Sequence, residues 1–287
     1  MSDKIVNCII CESDKIETIR IGSYKLTKCL NCGIVFNFKL PSQEEHNNYY
    51  ENDYRITSSI RQIDIEQRRI SRIPEQIILI SEILNFNTKQ ASLLDIGCDK
   101  GFFLDEIRRY GFSVFGFEPS EISRKYCTNI GLTIYRDFND IKRKFDVITL
   151  WHSLEHHINP LVSLSNLKNY LNDDGFIFIR VPDFDCIWRK IFKSKWVWLQ
   201  PENHYFHFTI NSLSFLLNKS GFDILTIQHR KPNNKYTSKS NRLTNILFKS
   251  SFQNKLNIKK SISRLYEDVT GLEIFAVAKP RGGLINN

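Results

Sequence analysis

Four cysteines near the start of the chain have the spacing of a structural zinc site. Cys8 and Cys11 form one Cys-x2-Cys pair, Cys29 and Cys32 form a second, and 17 residues separate the pairs. Each pair can form a knuckle that points two thiolates to one side, so two knuckles complete a tetrahedral zinc site. Disulfides or free thiols are the alternative, and a reducing cytoplasm disfavours disulfides. We therefore expect a closed, structural zinc site with no position for a substrate.

A second group of chemically useful residues follows two predicted strands. The strand SLLDI leads through Asp95 into the turn GCDKG, whose glycines are Gly97 and Gly101 and whose central residue is Asp99. Glu118 follows the next strand, 23 residues after Asp95, an offset suited to accepting hydrogen bonds from both ribose hydroxyls. A glycine turn and acids after successive strands predict a site for a nucleotide-type cofactor.

The charges of this turn favour one kind of cofactor over another. A dinucleotide fold uses G-x-G-x-x-G to face a pyrophosphate, whereas this turn lacks that form and carries the extra carboxylate of Asp99. Asp95 and Asp99 suit a cofactor with a positive end, and S-adenosylmethionine has an ammonium and a sulfonium but no phosphate. Asp tolerates a left-handed backbone better than most residues, so Asp99 need not break the turn.

Three stretches of this region resemble the class I S-adenosylmethionine-dependent methyltransferases, over about residues 91 to 228. LLDIGCDKGFFL is similar to the first motif of that family, FGFEPSEISRKYC to the second, and the stretch from FDVITLWHSLEHH to IRVPDF to the fourth and fifth. The family normally has glycine where this chain has Asp99. The resemblance implies a methionine pocket, a ribose acid and an adenine border, formed in that order by Asp95, Gly97 and Gly101, by Glu118, and by Asp137 with Phe138. We also expect Asp99 and Trp151 to bind the cofactor.

The elements that must position these residues alternate along the chain. Short apolar strands alternate with helical stretches from residue 91 onward, which is typical of a parallel sheet with helices on both faces. The candidate strands are SLLDI, SVFGF, LTIY, FDVITL, FIFIRV, FDILTIQ and LEIFAVA. We expect an α/β fold, a doubly wound, seven-stranded Rossmann-like methyltransferase sheet with a small N-terminal zinc ribbon. Ligands of such sheets bind beyond the carboxyl ends of the strands.

The predicted domains are a zinc ribbon over residues 1–40, a linker with a covering helix over 41–90, and a methyltransferase domain over 91–287. In the covering helix, Pro74 is expected to be a break or a fresh start. The methyltransferase domain carries a basic insertion at about 230–266, in which ten Lys or Arg residues and no acid account for more than the whole net charge of +9.

Several partners fit that basic insertion. Its stretch LTNILFKSSF is apolar on one side, which favours peripheral contact with an anionic membrane. Nucleic acid is a weaker alternative because aromatic residues are sparse among the charges, and dimerisation or a plain loop also stays open. The chain has no apolar run of the roughly 20 residues that a transmembrane helix needs and no secretory signal, so we expect a cytoplasmic protein.

Catalytic candidates follow the fourth and fifth strands. His152, Glu155 and His156 have relative spacings of three and four, so on a helical turn they share a face. They could bind a divalent metal, or Glu155 could orient a histidine while His152 acts as general base. A purely structural turn is the alternative. His204 and His207, in QPENHYFHF, are further candidate bases.

Three functions remain open at this stage. The first is methyl transfer from S-adenosylmethionine to a hydroxyl of a sugar, a glycan precursor or another small metabolite. The ribbon together with QPENHYFHF resembles a methyltransferase subgroup associated with sugar and cell-surface polysaccharide pathways. The second is an RNA or protein methyltransferase that docks through the ribbon or the basic segment. The third is a non-catalytic module that binds the cofactor.

Overall fold

The structure is a computed structural model that describes residues 6–53, 59–84, 91–230 and 273–282. The basic insertion predicted at about 230–266, including LTNILFKSSF, lies outside the described residues apart from Arg230. No helix among the described ranges has both the length and the apolar character needed to span a bilayer.

The N-terminal part is a small antiparallel sheet. Its strands are β1 (Ile16–Ile21), β2 (Tyr24–Cys29) and β3 (Val35–Asn37). β1 and β2 pair in register across the tight turn at Gly22, whose φ of 63° is the left-handed conformation that glycine adopts without strain. The cysteine pairs lie before β1 and at the end of β2.

Helical structure fills most of residues 43–53 and 59–83. Helix α1 (Gln43–Asn48) begins with a capping box, in which Ser42 and Glu45 satisfy each other's backbone N–H groups, and a wider turn follows at Tyr49–Asp53. The expectation that Pro74 breaks the next helix is wrong, because α2 runs unbroken over Ser59–Ile83 with Pro74 inside it. Burial of the neighbouring Ile73 and Ile77 against the sheet compensates for the backbone hydrogen bond that proline cannot make.

All seven strands predicted for the large sheet are present. They are β4 (Ser92–Ile96), β5 (Ser113–Phe117), β6 (Thr133–Tyr135), β7 (Phe145–Trp151), β8 (Leu171–Pro182), β10 (Phe222–Arg230) and β11 (Glu273–Pro280), while a two-residue strand, β9 (Phe206–His207), belongs to the other sheet. Their order in the sheet is β10-β11-β8-β7-β4-β5-β6. The strand order reverses beside β4, so the ends of β4 and β7 flank the expected ligand crevice.

The sheet is not wholly parallel, which corrects the sequence-based expectation. β4 to β8 pair in parallel, whereas β11 runs antiparallel to both β8 and β10. A continuous apolar strand shows in sequence that it is buried but not which way it runs. The reversal matters for the site because it brings Glu273, the first residue of β11, opposite Pro182 at the carboxyl end of β8.

Helices cover both faces of the sheet, as expected for a doubly wound fold. They are α3 (Phe102–Ile107), α4 (Glu121–Asn129), α5 (Pro160–Lys168), α6 (Ile187–Phe192) and α7 (Ile210–Lys219). Leu93 of β4 packs in a core with residues of α2, α3 and α4, and its neighbour Leu94 packs in the opposite core with α5 and α7. The alternation follows from the two-residue period of a strand.

The N-terminal sheet shares a strand with the segment that follows β8 of the large sheet. β9 pairs antiparallel with β3, so a segment that follows the fifth strand of the Rossmann-like sheet completes the N-terminal sheet as its fourth strand. The rings of Phe36 and Phe206 stack with centroids 5.8 Å apart, and the side-chain amide of Asn37 donates to the carbonyl of Pro201 at 2.6 Å. Residues 201–207 therefore take their position from the N-terminal sheet.

Candidate functional site

The four N-terminal cysteines converge as the spacing predicts. Their sulfur atoms all lie within 4.8 Å of one another, with Cys8 and Cys32 at 3.7 Å and Cys11 and Cys29 at 3.5 Å. A tetrahedral zinc ion with sulfur ligands at about 2.3 Å would hold the sulfurs about 3.8 Å apart. The donor set thus fits zinc, and four thiolates leave no coordination position for a substrate.

The two knuckles have the same local geometry despite their different sequences. The residue after each second cysteine, Glu12 or Gly33, is in the left-handed conformation, with φ of 64° and 73°. Each donates its N–H to the carbonyl of the first cysteine of its pair, at 2.7 Å for Glu12 and 3.1 Å for Gly33. Glutamate therefore takes the backbone position that glycine takes in the other knuckle.

The end of β4 carries the first part of the predicted cofactor site. Asp95 is buried, and its carboxylate accepts a hydrogen bond of 2.6 Å from the hydroxyl of Thr149, its neighbour on β7. Gly97 has φ of 73°, and a Cβ at this position would lie 2.8 Å from the hydroxyl of Ser153. Gly101, with φ of 69°, begins α3. Gly97 is therefore a position that favours glycine, because a side chain there would be strained and would meet Ser153.

The backbone N–H of Asp99 donates a hydrogen bond to the side chain of Glu118. Asp99 has φ of 51°, and its N–H donates to one carboxylate oxygen of Glu118 at 2.9 Å, while the N–H of Ser120 donates to the other at 2.8 Å. The carboxylate of Asp99 accepts a hydrogen bond from Ser123 of α4 at 3.2 Å. Glu118 is thereby fixed as a buried carboxylate at the carboxyl end of β5.

The next strand places two further predicted residues beside this carboxylate. Asp137 is exposed and caps the short helix Phe138–Asp140, accepting a hydrogen bond from the N–H of Asn139. The ring of Phe138 stacks on Phe117, with centroids 4.0 Å apart and planes at 14°. Because Phe117 directly precedes Glu118, a flat aromatic surface lies next to the expected ribose position.

Trp151 ends β7 inside an aromatic and cationic cluster. Its ring contacts Phe103 edge-on, stacks with Phe275, and lies 5.4 Å from the guanidinium carbon of Arg180. Its indole N–H is buried and has no hydrogen-bond partner within the described part of the chain. Trp151 therefore offers a donor at the carboxyl end of the sheet, beside the cofactor turn.

His152 is engaged on both sides by charged neighbours. Its Nε2 lies 3.0 Å from a carboxylate oxygen of Glu273 and 3.0 Å from a guanidinium nitrogen of Arg72, and its Nδ1 lies 3.4 Å from Glu155. Its ring stacks on Trp198 at 4.9 Å. Although burial opposes the charged form, Glu273 and Glu155 together raise the pKa of His152. Both ring nitrogens are thus directed at charged groups of the protein.

This arrangement belongs to a larger buried ionic network. Arg72 contacts Glu273 at 2.6 Å, and Arg180, which is 1% exposed, contacts both Glu75 and Glu273. Burial disfavours ionisation of Glu273, but the charges of Arg72, His152 and Arg180 hold its pKa well below the usual range. The network ties α2, β8 and β11 to the residue that follows β7.

Glu155, His156 and His204 form a second cluster. Glu155 and His156 lie on the short helix Leu154–His156, and the N–H of Tyr205 donates to the carbonyl of Glu155 at 2.9 Å, which brings His204 close. The rings of His156 and His204 are nearly perpendicular, with centroids 4.7 Å apart. Burial lowers the pKa of both histidines, to about 3 for His156, so both are neutral near pH 7. His156 thus pairs with His204, not with His152.

His207 lies in β9, opposite Val35 of the N-terminal sheet. It is 4% exposed, its ring is 5.0 Å from that of Phe184, and its Nε2 has no hydrogen-bond partner in the ranges that the structure describes. The three predicted catalytic histidines therefore lie in different environments. His152 belongs to the buried ionic network, His204 to the cluster with Glu155 and His156, and His207 to the N-terminal sheet.

Sequence reasoning missed four residues that shape these clusters. Arg180 and Glu273 stand as single charges within the apolar strands FIFIRV and LEIFAVA, and Thr149 interrupts the apolar strand FDVITL. A polar residue inside a buried strand needs a partner, so these interruptions were an available signal. Arg72 carried no such signal because it is one of several arginines in a polar helix.

Several known proteins are similar in sequence to this chain. The profile of a family described as "Methyltransferase domain" matches residues 66–227, more than half of the chain. The ubiquinone biosynthesis O-methyltransferase of Actinobacillus pleuropneumoniae serotype 5b (strain L20) is 37% identical over 101 residues, covering 30% of this chain and 43% of the relative. The tRNA U34 carboxymethyltransferase of Campylobacter fetus subsp. fetus (strain 82-40) is 26% identical over 157 residues, covering 50% and 56%. The chain thus spans about half the length of these curated relatives.

Solved structures share the fold at low sequence identity. The plantazolicin methyltransferase BpumL, in complex with a pentazolic desmethylPZN analog and SAH, has a TM-score of 0.55 and 17% identity, covering 82% of this chain and 95% of that one. The magnesium protoporphyrin IX methyltransferase of Synechocystis PCC 6803, with bound SAH, has a TM-score of 0.52 and 12% identity, covering 83% and 98%. These likenesses establish the Rossmann-like methyltransferase fold.

Proposed function

Because the chain belongs to the methyltransferase-domain family, we propose that it transfers a methyl group from S-adenosylmethionine to a hydroxyl of a sugar, a glycan precursor or another small metabolite. The observation that carries the proposal is the hydrogen bond from the N–H of Asp99 to Glu118. Asp99 lies in a left-handed turn, and its N–H holds the buried carboxylate of Glu118 at the end of β5. A carboxylate held by two backbone N–H groups keeps lone pairs for the two hydroxyls of a ribose.

The predicted cofactor residues fit the parts of S-adenosylmethionine in order across the sheet. Asp95, Gly97, Asp99 and Gly101 would surround the methionine end, where carboxylates match an ammonium. Asp137 and Phe138 would border the adenine, with Phe138 and Phe117 as a flat apolar wall. Trp151 would close the side nearest the acceptor. We assign the residues these roles from their position and chemistry.

The cofactor supplies an electrophilic methyl group when it is bound. An acceptor hydroxyl would take that methyl group from sulfur, which would keep the electron pair of the carbon–sulfur bond, and the hydroxyl proton would pass to the protein or to water. The protein must hold the acceptor in line with that bond and assist the loss of the proton. We propose that the cluster of Glu155, His156 and His204 lies beside the acceptor and performs this second task.

The three predicted catalytic histidines are suited to different roles in this scheme. His204 donates Nδ1–H to the carbonyl of Trp198 at 2.8 Å, which leaves Nε2 with its lone pair. His152 is held between carboxylates, and we propose that it positions Glu155. His207 lies in the N-terminal sheet, where we propose that it holds the segment carrying His204.

Small-molecule O-methylation is supported by the relatives named for ubiquinone biosynthesis, which are O-methyltransferases. A nucleic acid substrate is the second candidate, because another relative is named for a tRNA position. The two differ in salt dependence, since binding to bulk RNA through phosphate contacts weakens steeply as salt rises.

Isothermal titration calorimetry of the full chain tests the proposal. We expect saturable binding of S-adenosylmethionine and of its demethylated product, S-adenosylhomocysteine (SAH). The absence of binding at about millimolar ligand, a weak-affinity limit near −4 kcal/mol, would overturn it. Filter binding of bulk RNA at low and high salt decides between the two acceptor classes, and mass spectrometry of cell glycans and metabolites with and without the protein seeks the methylated product.

A further inference from the structure

A buried carboxylate meets two histidine rings beside the proposed acceptor position. Glu155 is 1% exposed, and among the described residues its carboxylate oxygens accept no hydrogen bond of ordinary geometry, while Nδ1 of His152 lies 3.4 Å away. One ligand atom from each of Glu155, His156 and His204 lies within 4.8 Å of the other two. A buried carboxylate without hydrogen bonds is costly unless a cation or a donor completes its surroundings.

The two histidines are oriented by backbone carbonyls. Nδ1 of His156 lies 2.8 Å from the carbonyl oxygen of Asn203, and Nδ1 of His204 lies 2.8 Å from that of Trp198. A carbonyl can only accept, so each Nδ1 carries the hydrogen and each neutral ring keeps the lone pair of Nε2. Histidines that bind metals have this arrangement, in which the far N–H is donated to a carbonyl or carboxylate.

The cluster is held from several directions. The backbone bond from Tyr205 to Glu155 joins the loop that carries His204 to the helix that carries His156. His152 flanks the far side of the carboxylate, with Nδ1 3.4 Å from Glu155. His156 is half-buried, whereas His204 is 3% exposed, so His156 is the more exposed of the two histidines.

We propose that Glu155, His156 and His204 bind a divalent transition-metal ion at a site distinct from the four cysteines. Two imidazoles and one carboxylate favour an ion such as zinc over magnesium or calcium, which prefer oxygen ligands. Three protein ligands leave a coordination position open. A tetrahedral ion would hold the ligand atoms about 3.4 Å apart, so side-chain movements of roughly 1 Å would close the site.

The open position gives this site a role in the proposed reaction. A hydroxyl of the acceptor that binds there would have its pKa lowered by the ion, and its proton would pass to solvent water, because the ion would occupy the Nε2 lone pairs of both histidines. This consequence rests on the proposed function, whereas binding of the ion does not. The proposed role of the ion also predicts that acceptors able to present a hydroxyl to it are preferred.

Titration of the metal-free, refolded full chain with Co²⁺ tests the proposal, because cobalt binds in zinc sites and absorbs visible light. We expect two bound ions in the wild type and one in His204→Ala and in the isosteric Glu155→Gln. His229→Ala is the matched control, since His229 is exposed and outside the cluster, and it should bind two. The ion at the cysteines gives sulfur-to-metal charge-transfer bands, which all four proteins should retain.

The outcomes separate the metal site from the proposed function. A wild type that binds one ion, or a Glu155→Gln variant that keeps the second, overturns the metal site. Binding of SAH is measured on the same samples, so one ion with intact SAH binding refutes the metal site alone. Two ions without SAH binding refute the proposed function alone. Retained charge-transfer bands and circular dichroism show that each variant is folded.

Discussion

Burial of His207 gives the protein an acid sensitivity whose size follows from the structure. The ring is 4% exposed, and its burial, together with the nearby His204, lowers the pKa of His207 to about 3. In the unfolded chain the pKa is about 6.5. Below pH 6.5 the unfolded chain therefore binds a proton that the folded protein excludes, and stability falls as the pH drops toward 3. At pH 5 the difference is about 1.5 units, which corresponds to about 2 kcal/mol.

Replacing His207 by phenylalanine removes the loss of stability that His207 causes on acidification. Urea unfolding followed by circular dichroism at pH 7 and pH 5 gives the free energy of unfolding for each protein. The wild type should lose about 2 kcal/mol more than His207→Phe between the two pH values, whatever the absolute stability of the variant. Equal losses in wild type and His207→Phe would refute the reasoning, since acid release of zinc affects both alike.

Three further predictions concern the turn and the ribbon. Gly97→Ala places a Cβ 2.8 Å from the Ser153 hydroxyl in a left-handed backbone. It should lower stability by about 1–3 kcal/mol and weaken SAH binding at least about tenfold, and unchanged calorimetric affinity would count against a cofactor at this turn. Asp99→Gly should weaken SAH binding about fivefold or more if the carboxylate meets the cofactor's ammonium. Tighter binding by this variant would mean that Asp99 is merely tolerated in the turn. Chelation of zinc should speed amide hydrogen exchange at His207, because the bond from the N–H of Asn37 to the carbonyl of Tyr205 sets a register in which the N–H of His207 faces Val35 of β3. Unchanged protection there would contradict a metal-dependent ribbon.

The strands of the large sheet were predictable because each is a short apolar run bounded by polar residues. The sheet's one antiparallel strand, β11, was not, since strand direction depends on which edges meet in the folded chain. The pairing of β9 with β3 was also missed. A two-residue strand has no periodic signal, and its partner lies more than 160 residues earlier in the sequence.

The cofactor turn was readable from sequence for a local reason. Residues Asp95 to Gly101 are consecutive, so their types and order carry the geometry directly. The ionic network around His152 draws on Arg72, Arg180 and Glu273 from three separate elements, and only the fold brings them together. Likewise, spacing alone grouped His152 with Glu155 and His156, whereas the structure completes that group with His204.

Calorimetric titration of SAH into the wild type, Glu118→Gln and Glu121→Gln tests the central claim most directly. In Glu118→Gln the new amide NH₂ must face a backbone N–H of Asp99 or Ser120 in place of a carboxylate oxygen. Loss of charge-assisted bonds worth about 1.4–2.8 kcal/mol should weaken SAH binding about tenfold to a hundredfold. Glu121, exposed on the following helix, is the matched control and should leave the affinity unchanged. Equal affinity in all three proteins, or no binding by the wild type, would contradict the account.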